Sequence, residues 1–163
     1  VGQLRELTVL LWGNEILHID VFKLGFLGTV HALISFLCMI PCGIASDRFD
    51  RRKILALGFI TMSTGMLIYL FSIDYLSLFL PTVWAAISFG LLAPARLAVI
   101  SDWVKQKETG TALGIQKFFG GAGFLIGPVL AGFMLEYSIS AVFIFSAAFG
   151  IVTAAIALKS RGK

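Results

Sequence analysis

Asp47 and Arg51 stand four residues apart, with Arg48, Arg52 and Lys53 crowded around them and Gly43 a further four residues before the acid. On a helix that spacing brings a carboxylate and a guanidinium within reach of each other. Such a group can make a reversible ionic contact, but it is poorly equipped to break covalent bonds. No nucleophile stands beside a base, no cluster has the spacing of metal ligands, and no glycine-rich loop follows a strand to cradle phosphate. No enzyme activity, metal or cofactor is expected. Three more ionisable residues, His31, Arg96 and Lys117, fall inside long apolar runs, where a charge is costly and is a functional candidate by default. Arg96 and Lys117 could line a cationic pocket for an anionic solute, snorkel to the interface, or pair with another set of helices. Histidine as a residue type titrates near neutrality, so His31 could carry a proton, or it could bond a neighbouring hydroxyl.

The elements that must position these residues follow from composition. The chain has 163 residues, 58% hydrophobic and 13% charged, and a mean hydropathy of +0.95. A soluble domain is nearer one quarter charged, so the surplus apolar surface must face lipid. The net charge of +4 is gathered in short loops and not spread over a polar face, which argues for a membrane orientation signal and against nucleic acid. Five stretches approach the roughly 20 residues that a helix needs to cross hydrocarbon: residues 24–45, 54–73, 76–101, 112–135 and 141–158. Their short connections predict antiparallel neighbours. The apolar residues are unspaced, unlike the alternating pattern of a membrane barrel. The fold class is therefore all-α: residues 21–163 form a five-helix transmembrane bundle. Residues 1–20 carry only a short apolar run and are either a truncated first helix or an interfacial segment with Trp12 at headgroup level.

Basic residues set the orientation. Arg48, Arg51, Arg52, Lys53, Lys105, Lys107, Lys159, Arg161 and Lys163 fall on one side, and Lys23 lies in a loop on the other. The basic side is expected to be cytoplasmic, with the C-terminus inside. Cys38 and Cys42 share a helix face and are read as small core residues. Val1 is not an initiator methionine and no leader with a cleavage site is seen, so a fragment or a processed piece is expected.

The charged loop resembles the signature of the major facilitator superfamily, G-x-x-x-D-R/K-x-G-R-R/K, at Gly43, Asp47, Arg48, Arg51 and Arg52, with Asp50 where glycine is usual. A later run resembles the antiporter-type pattern G-x8-G-x3-G-P-x-x-G-G at Gly114, Gly123, Gly127, Pro128 and Gly132, with Ala131 replacing one glycine. The proton-linked pattern R-x-x-Q-G is not matched, since Ala86 and Phe89 precede Gly90. The resemblance implies one six-helix half of a twelve-helix secondary transporter, with most of its first helix missing, working by alternating access. It also implies that Asp47, Arg51 and Asp102 form a charge relay that latches the outward-facing state, and that Gly43 lets the loop pack on the opposite half. Gly123 and Gly127 would admit a close neighbour, and Pro128 a bend. The expected partners are the lipid bilayer, an unidentified small solute, and a second six-helix half or an identical chain, in a plasma or bacterial inner membrane. Other readings are a non-transporting scaffold or regulator derived from a half-transporter, and a small homodimeric exporter.

Overall fold

A computed structural model of the chain describes residues 2–15 and 17–159. Among these, the regular structure is helical throughout. In chain order the helices are α1 (Gly2–Glu15), α2 (Val21–Arg48), α3 (Arg51–Tyr69), α4 (Phe79–Trp103), α5 (Thr109–Tyr137) and α6 (Ile139–Lys159), with a single 3-10 turn at Gln106–Glu108 before α5. α2, α5 and α6 run beyond their apolar stretches at both ends, while α3 and α4 are shifted relative to theirs, because hydrogen bonding, not hydropathy, ends a helix. Asp20 caps α2 by accepting from the Phe22 amide at 3.0 Å, and Asp50 caps α3 by accepting from the Arg52 amide at 3.0 Å. At Asp50 the backbone has φ −58, so the position needs no glycine, and aspartate there supplies a cap.

Among the described residues four helices are long and apolar enough to cross a membrane: α2, α4, α5 and α6. The sequence-based expectation was five. The helix outside that set is α3, whose first turn holds Arg51, Arg52 and Lys53 and whose Ala56, Gly58, Met62, Ser63, Gly65, Met66 and Tyr69 are buried. It packs between α4 and α6, so much of its surface meets protein rather than lipid.

Successive helices are not the main packing partners. The pairs α2 with α4, α3 with α4 and α3 with α6 carry the bundle, while α2 and α3 barely touch. Because α2 and α4 are separated by one intervening helix, they run parallel, and their contacts keep a constant register. The Ser35 hydroxyl donates to the Ala86 carbonyl at 3.2 Å, an offset of 51 residues. Gly43 meets Pro94 at the same offset, a Cβ on the glycine falling 3.9 Å from the proline Cβ. Large side chains pack at the end of the bundle away from the basic loops. There Tyr69 stacks on Phe143 with centroids 5.6 Å apart, and Trp12 of α1 meets the same ring edge-on, also at 5.6 Å. Trp12 is buried in this cluster.

Candidate functional site

Three sequence features converge at the basic end of the bundle. Arg51, the first residue of α3, donates through Nη1 to Asp102 Oδ1 at 2.6 Å and to the Ala98 carbonyl at 3.2 Å, and through Nη2 to Asp47 Oδ1 at 3.4 Å. One guanidinium thus joins the ends of α2, α3 and α4. The spacing argument for Asp47 and Arg51 assumed a helix running through the loop. The chain instead breaks at Phe49, with φ −112 and ψ 169, and restarts at Arg51, yet the pair still meets.

Helix dipoles explain why these charges are placed for one another. Asp47 and Asp102 lie at the negative C-terminal ends of their helices and Arg51 at a positive N-terminal end, so each is unfavourable on its own helix. Parallel α2 and α4 bring two negative ends side by side, and the Arg51 cation offsets both. The site is only partly shielded: the Arg51 side chain is 31% exposed, Asp102 53% and Asp47 70%. Arg52 extends it, with its guanidinium 5.7 Å from the Trp103 ring centroid. Arg48 is exposed beside the cluster. Arg161 and Lys163, used in the orientation argument, lie outside the described residues.

The glycine-rich helix behaves differently within this chain. Gly127 is buried and Pro128 half-buried, but Gly114, Gly123 and Gly132 have no atom within 4 Å of a Cβ built on them. At 3.6 residues per turn Gly114 and Gly132 lie five turns apart on one face of α5, opposite Gly123. Close approach occurs instead at Gly58 against Leu92, Gly65 against Trp84 and Gly90 against Cys38. The reading of the sequence gave these three glycines no packing role, because isolated glycines in apolar runs carry no signal of the neighbour they face.

The remaining candidates separate. His31 of α2 lines a cavity of about 330 Å³ with Val9, Leu10, Leu24, Tyr69 and Thr82, where the Tyr69 and Thr82 hydroxyls share a hydrogen bond of 3.1 Å. The His31 ring lies 6.2 Å from that of Phe89. Arg96 is half-buried on α4 and Lys117 exposed on α5, so similar depth does not give them a common environment. Cys38 and Cys42 are half-buried free thiols, and among the described residues no group of three or more His, Cys, Asp or Glu could hold a metal.

A bundle of long apolar helices, tied at its basic end by one arginine and two aspartates, defines a multi-pass membrane protein. The chain belongs to the Major Facilitator Superfamily, whose family model matches residues 7–162. It is similar to Multidrug resistance protein 2 of Bacillus subtilis (strain 168), 26% identical over 140 residues that make up 86% of this chain and 35% of that protein. Multidrug resistance protein 1 of the same strain is 27% identical over 145 residues, 89% of this chain and 37% of the relative. Riboflavin transporter RibZ of Clostridioides difficile (strain 630) is 24% identical over 142 residues, 86% and 31%. The chain thus spans about a third of the length of these relatives.

Proposed function

We propose that the chain forms one wall of a solute pathway in a secondary transporter that works by alternating access, with a second set of helices as the opposite wall. The observation that carries this reading is the Arg51 bridge between Asp47 and Asp102, an ionic contact able to hold helix ends together in one state and release them in another. Two features support it. The face of α5 bearing Gly114 and Gly132 is open, and small residues on a membrane helix mark where another helix approaches closely. Two of the named relatives are multidrug resistance proteins and the third is a riboflavin transporter, so small organic solutes are the proposed cargo. The basic end is cytoplasmic in this reading, by the distribution of lysine and arginine.

Reconstitution into liposomes tests it. The chain alone is expected to give no saturable solute flux, and the complete protein that contains it is expected to give flux that Arg51→Ala alters. Distance measurements across the basic end should show Arg51→Ala shifted toward the state open on that side. Saturable flux by the isolated monomeric chain would replace this reading with that of a self-sufficient small exporter. An unmoved gate in the variant would reduce the cluster to an orientation signal.

A further inference from the structure

A groove opens at the seam between α4 and α5, apart from the ionic contact. Ile100, Trp103 and Val104 stand at positions i, i+3 and i+4 of α4, and Ala112, Ile115 and Gln116 repeat that spacing on α5, so each helix contributes one face. Between them lies a cavity of about 360 Å³ whose lining surface is almost wholly apolar. The two helices touch little, and Ala112 leaves space that a larger side chain would fill. Deeper along the same two faces stand Leu97, three residues before Ile100, and Phe119, four after Ile115, both exposed. The groove thus continues as an apolar track toward the middle of the bilayer.

Its other end is charged. The Arg52 guanidinium lies 5.7 Å from the centroid of the Trp103 ring, and Trp103 lines the cavity. Lys105 directly follows Val104 and is exposed, as is Lys107. Asp102, next to Trp103 in the sequence, is already bonded to Arg51 at 2.6 Å, which leaves Glu108 as the acid of the short connection. Positive charge therefore prevails where the two helices leave the hydrocarbon. The exposed Trp103 suits that depth, since tryptophan gathers where one side is apolar and the other wet.

We propose that this groove seats one anionic phospholipid: an acyl chain lies along the track from Trp103 and Ala112 toward Leu97 and Phe119, and the phosphate rests between Arg52 and Lys105. The site has the polarity of its ligand, an apolar slot with cations only at the end that reaches the headgroups. A neutral hydrocarbon would use the slot and not the cations, and a water-soluble phosphate the cations and not the slot. The long stem of Arg52 carries its charge to headgroup depth, and each basic residue beside anionic lipid strengthens binding about fivefold. The inference goes beyond the transport reading and holds whether or not the protein moves solute.

The test uses the complete protein that contains this chain, in neutral maltoside micelles, with bound lipid counted by native mass spectrometry. The probes are dimyristoyl phosphatidylglycerol, the phosphatidylcholine with the same chains, and dihexanoyl phosphatidylglycerol. One long-chain phosphatidylglycerol should bind about tenfold or more tightly than the choline lipid, as two cations imply. Lys105→Gln, an exposed substitution outside the long helices, and Arg52→Gln should each weaken it about fivefold and leave the choline lipid unaffected. Ala112→Trp, which keeps both cations and fills the groove, should weaken it about tenfold or more. The short-chain lipid should bind weakly throughout, and the comparison of chain lengths in the native protein serves if Ala112→Trp does not fold. Equal binding of the glycerol and choline lipids, or long-chain phosphatidylglycerol untouched by both Lys105→Gln and Ala112→Trp, overturns the proposal. Sensitivity to the charges alone, with both chain lengths bound alike, reduces the site to surface attraction and overturns it too. No bound lipid in the complete protein has the same force and gives the groove to a helix of the second set.

Discussion

Gly90 of α4 lies in backbone contact with Cys38 of α2: a methyl group at Gly90 would stand 2.6 Å from Cys38 Cβ, 3.3 Å from the Ser35 carbonyl oxygen and 3.4 Å from the Cys38 carbonyl carbon. Two parallel helices are held there with no room for a side chain between them. The Ser35 to Ala86 hydrogen bond lies about one turn away and fixes the same register.

Gly90→Ala should therefore destabilise the bundle by about 1–3 kcal/mol, the usual cost of overpacking a tight contact. Cys38→Gly in the same chain should restore only part of that loss, because two of the three obstructing atoms are backbone. Thermal unfolding in detergent reads both. Full restoration would mean that the cysteine Cβ is the whole obstruction.

The ionic contact should behave as a unit. Each exposed pair taken alone contributes about 0–1 kcal/mol, but Asp47 and Asp102 share one guanidinium. In a mutant cycle, Arg51→Ala and the double variant Asp47→Ala with Asp102→Ala should be non-additive by about 0.5 kcal/mol or more. Arg51→Lys should recover little, since an ammonium lacks the fork that reaches both acids. Strict additivity would dissolve the three residues into independent surface charges.

Thiol labelling can decide the orientation. In a background of Cys38→Ser and Cys42→Ser, Ile73→Cys, at a position 81% exposed in the α3–α4 connection, should react with an impermeant reagent applied to intact cells. Lys105→Cys, between α4 and α5, should react only after permeabilisation. The reverse pattern inverts the bundle in the membrane.

The α3–α4 connection carries its own pH response. The Asp74 carboxylate accepts from the Ser77 amide at 2.8 Å, and hydrogen bonds from Ser77 backbone and side chain hold its carboxyl below the ordinary value of 3.8. A depressed carboxyl stabilises the folded turn in full above that ordinary value, and the contribution is lost as pH falls through the lower, folded one. Protection of the Ser77 amide, measured against its intrinsic exchange rate at each pH, should fall in this acid window in the native chain but stay level in Asp74→Asn. An equal acid response in both would assign the loss to other groups.

The helices were legible because apolar runs bounded by charge leave few alternatives in lipid. Their ends were less so. The reading began the third apolar stretch's predecessor, α3, at Ile54, where hydropathy starts, while Asp50 starts the helix at Arg51 with a side-chain hydrogen bond. Partner choice was hidden for a different reason. That α4 and not α3 lies along α2 depends on where a missing Cβ at Gly90 meets Cys38, a relation between residues 52 apart that no local period encodes. Asp47 with Arg51 could be read from spacing, whereas Asp102 entered through the family resemblance. Arg96 was flagged by its cost in lipid, but Gln116 was overlooked, because a neutral amide raises no alarm until its oxygen is seen to lack a donor.

The preference of α2 for α4 over α3 also bears on how the chain is assembled. As helices enter the bilayer in order, α2 and α3 arrive as a hairpin with little to join them. The seat for Ser35 and Cys38 forms only when α4 follows, and α3 gains its other flank only with α6. Native contacts are therefore delayed until a second neighbour is delivered.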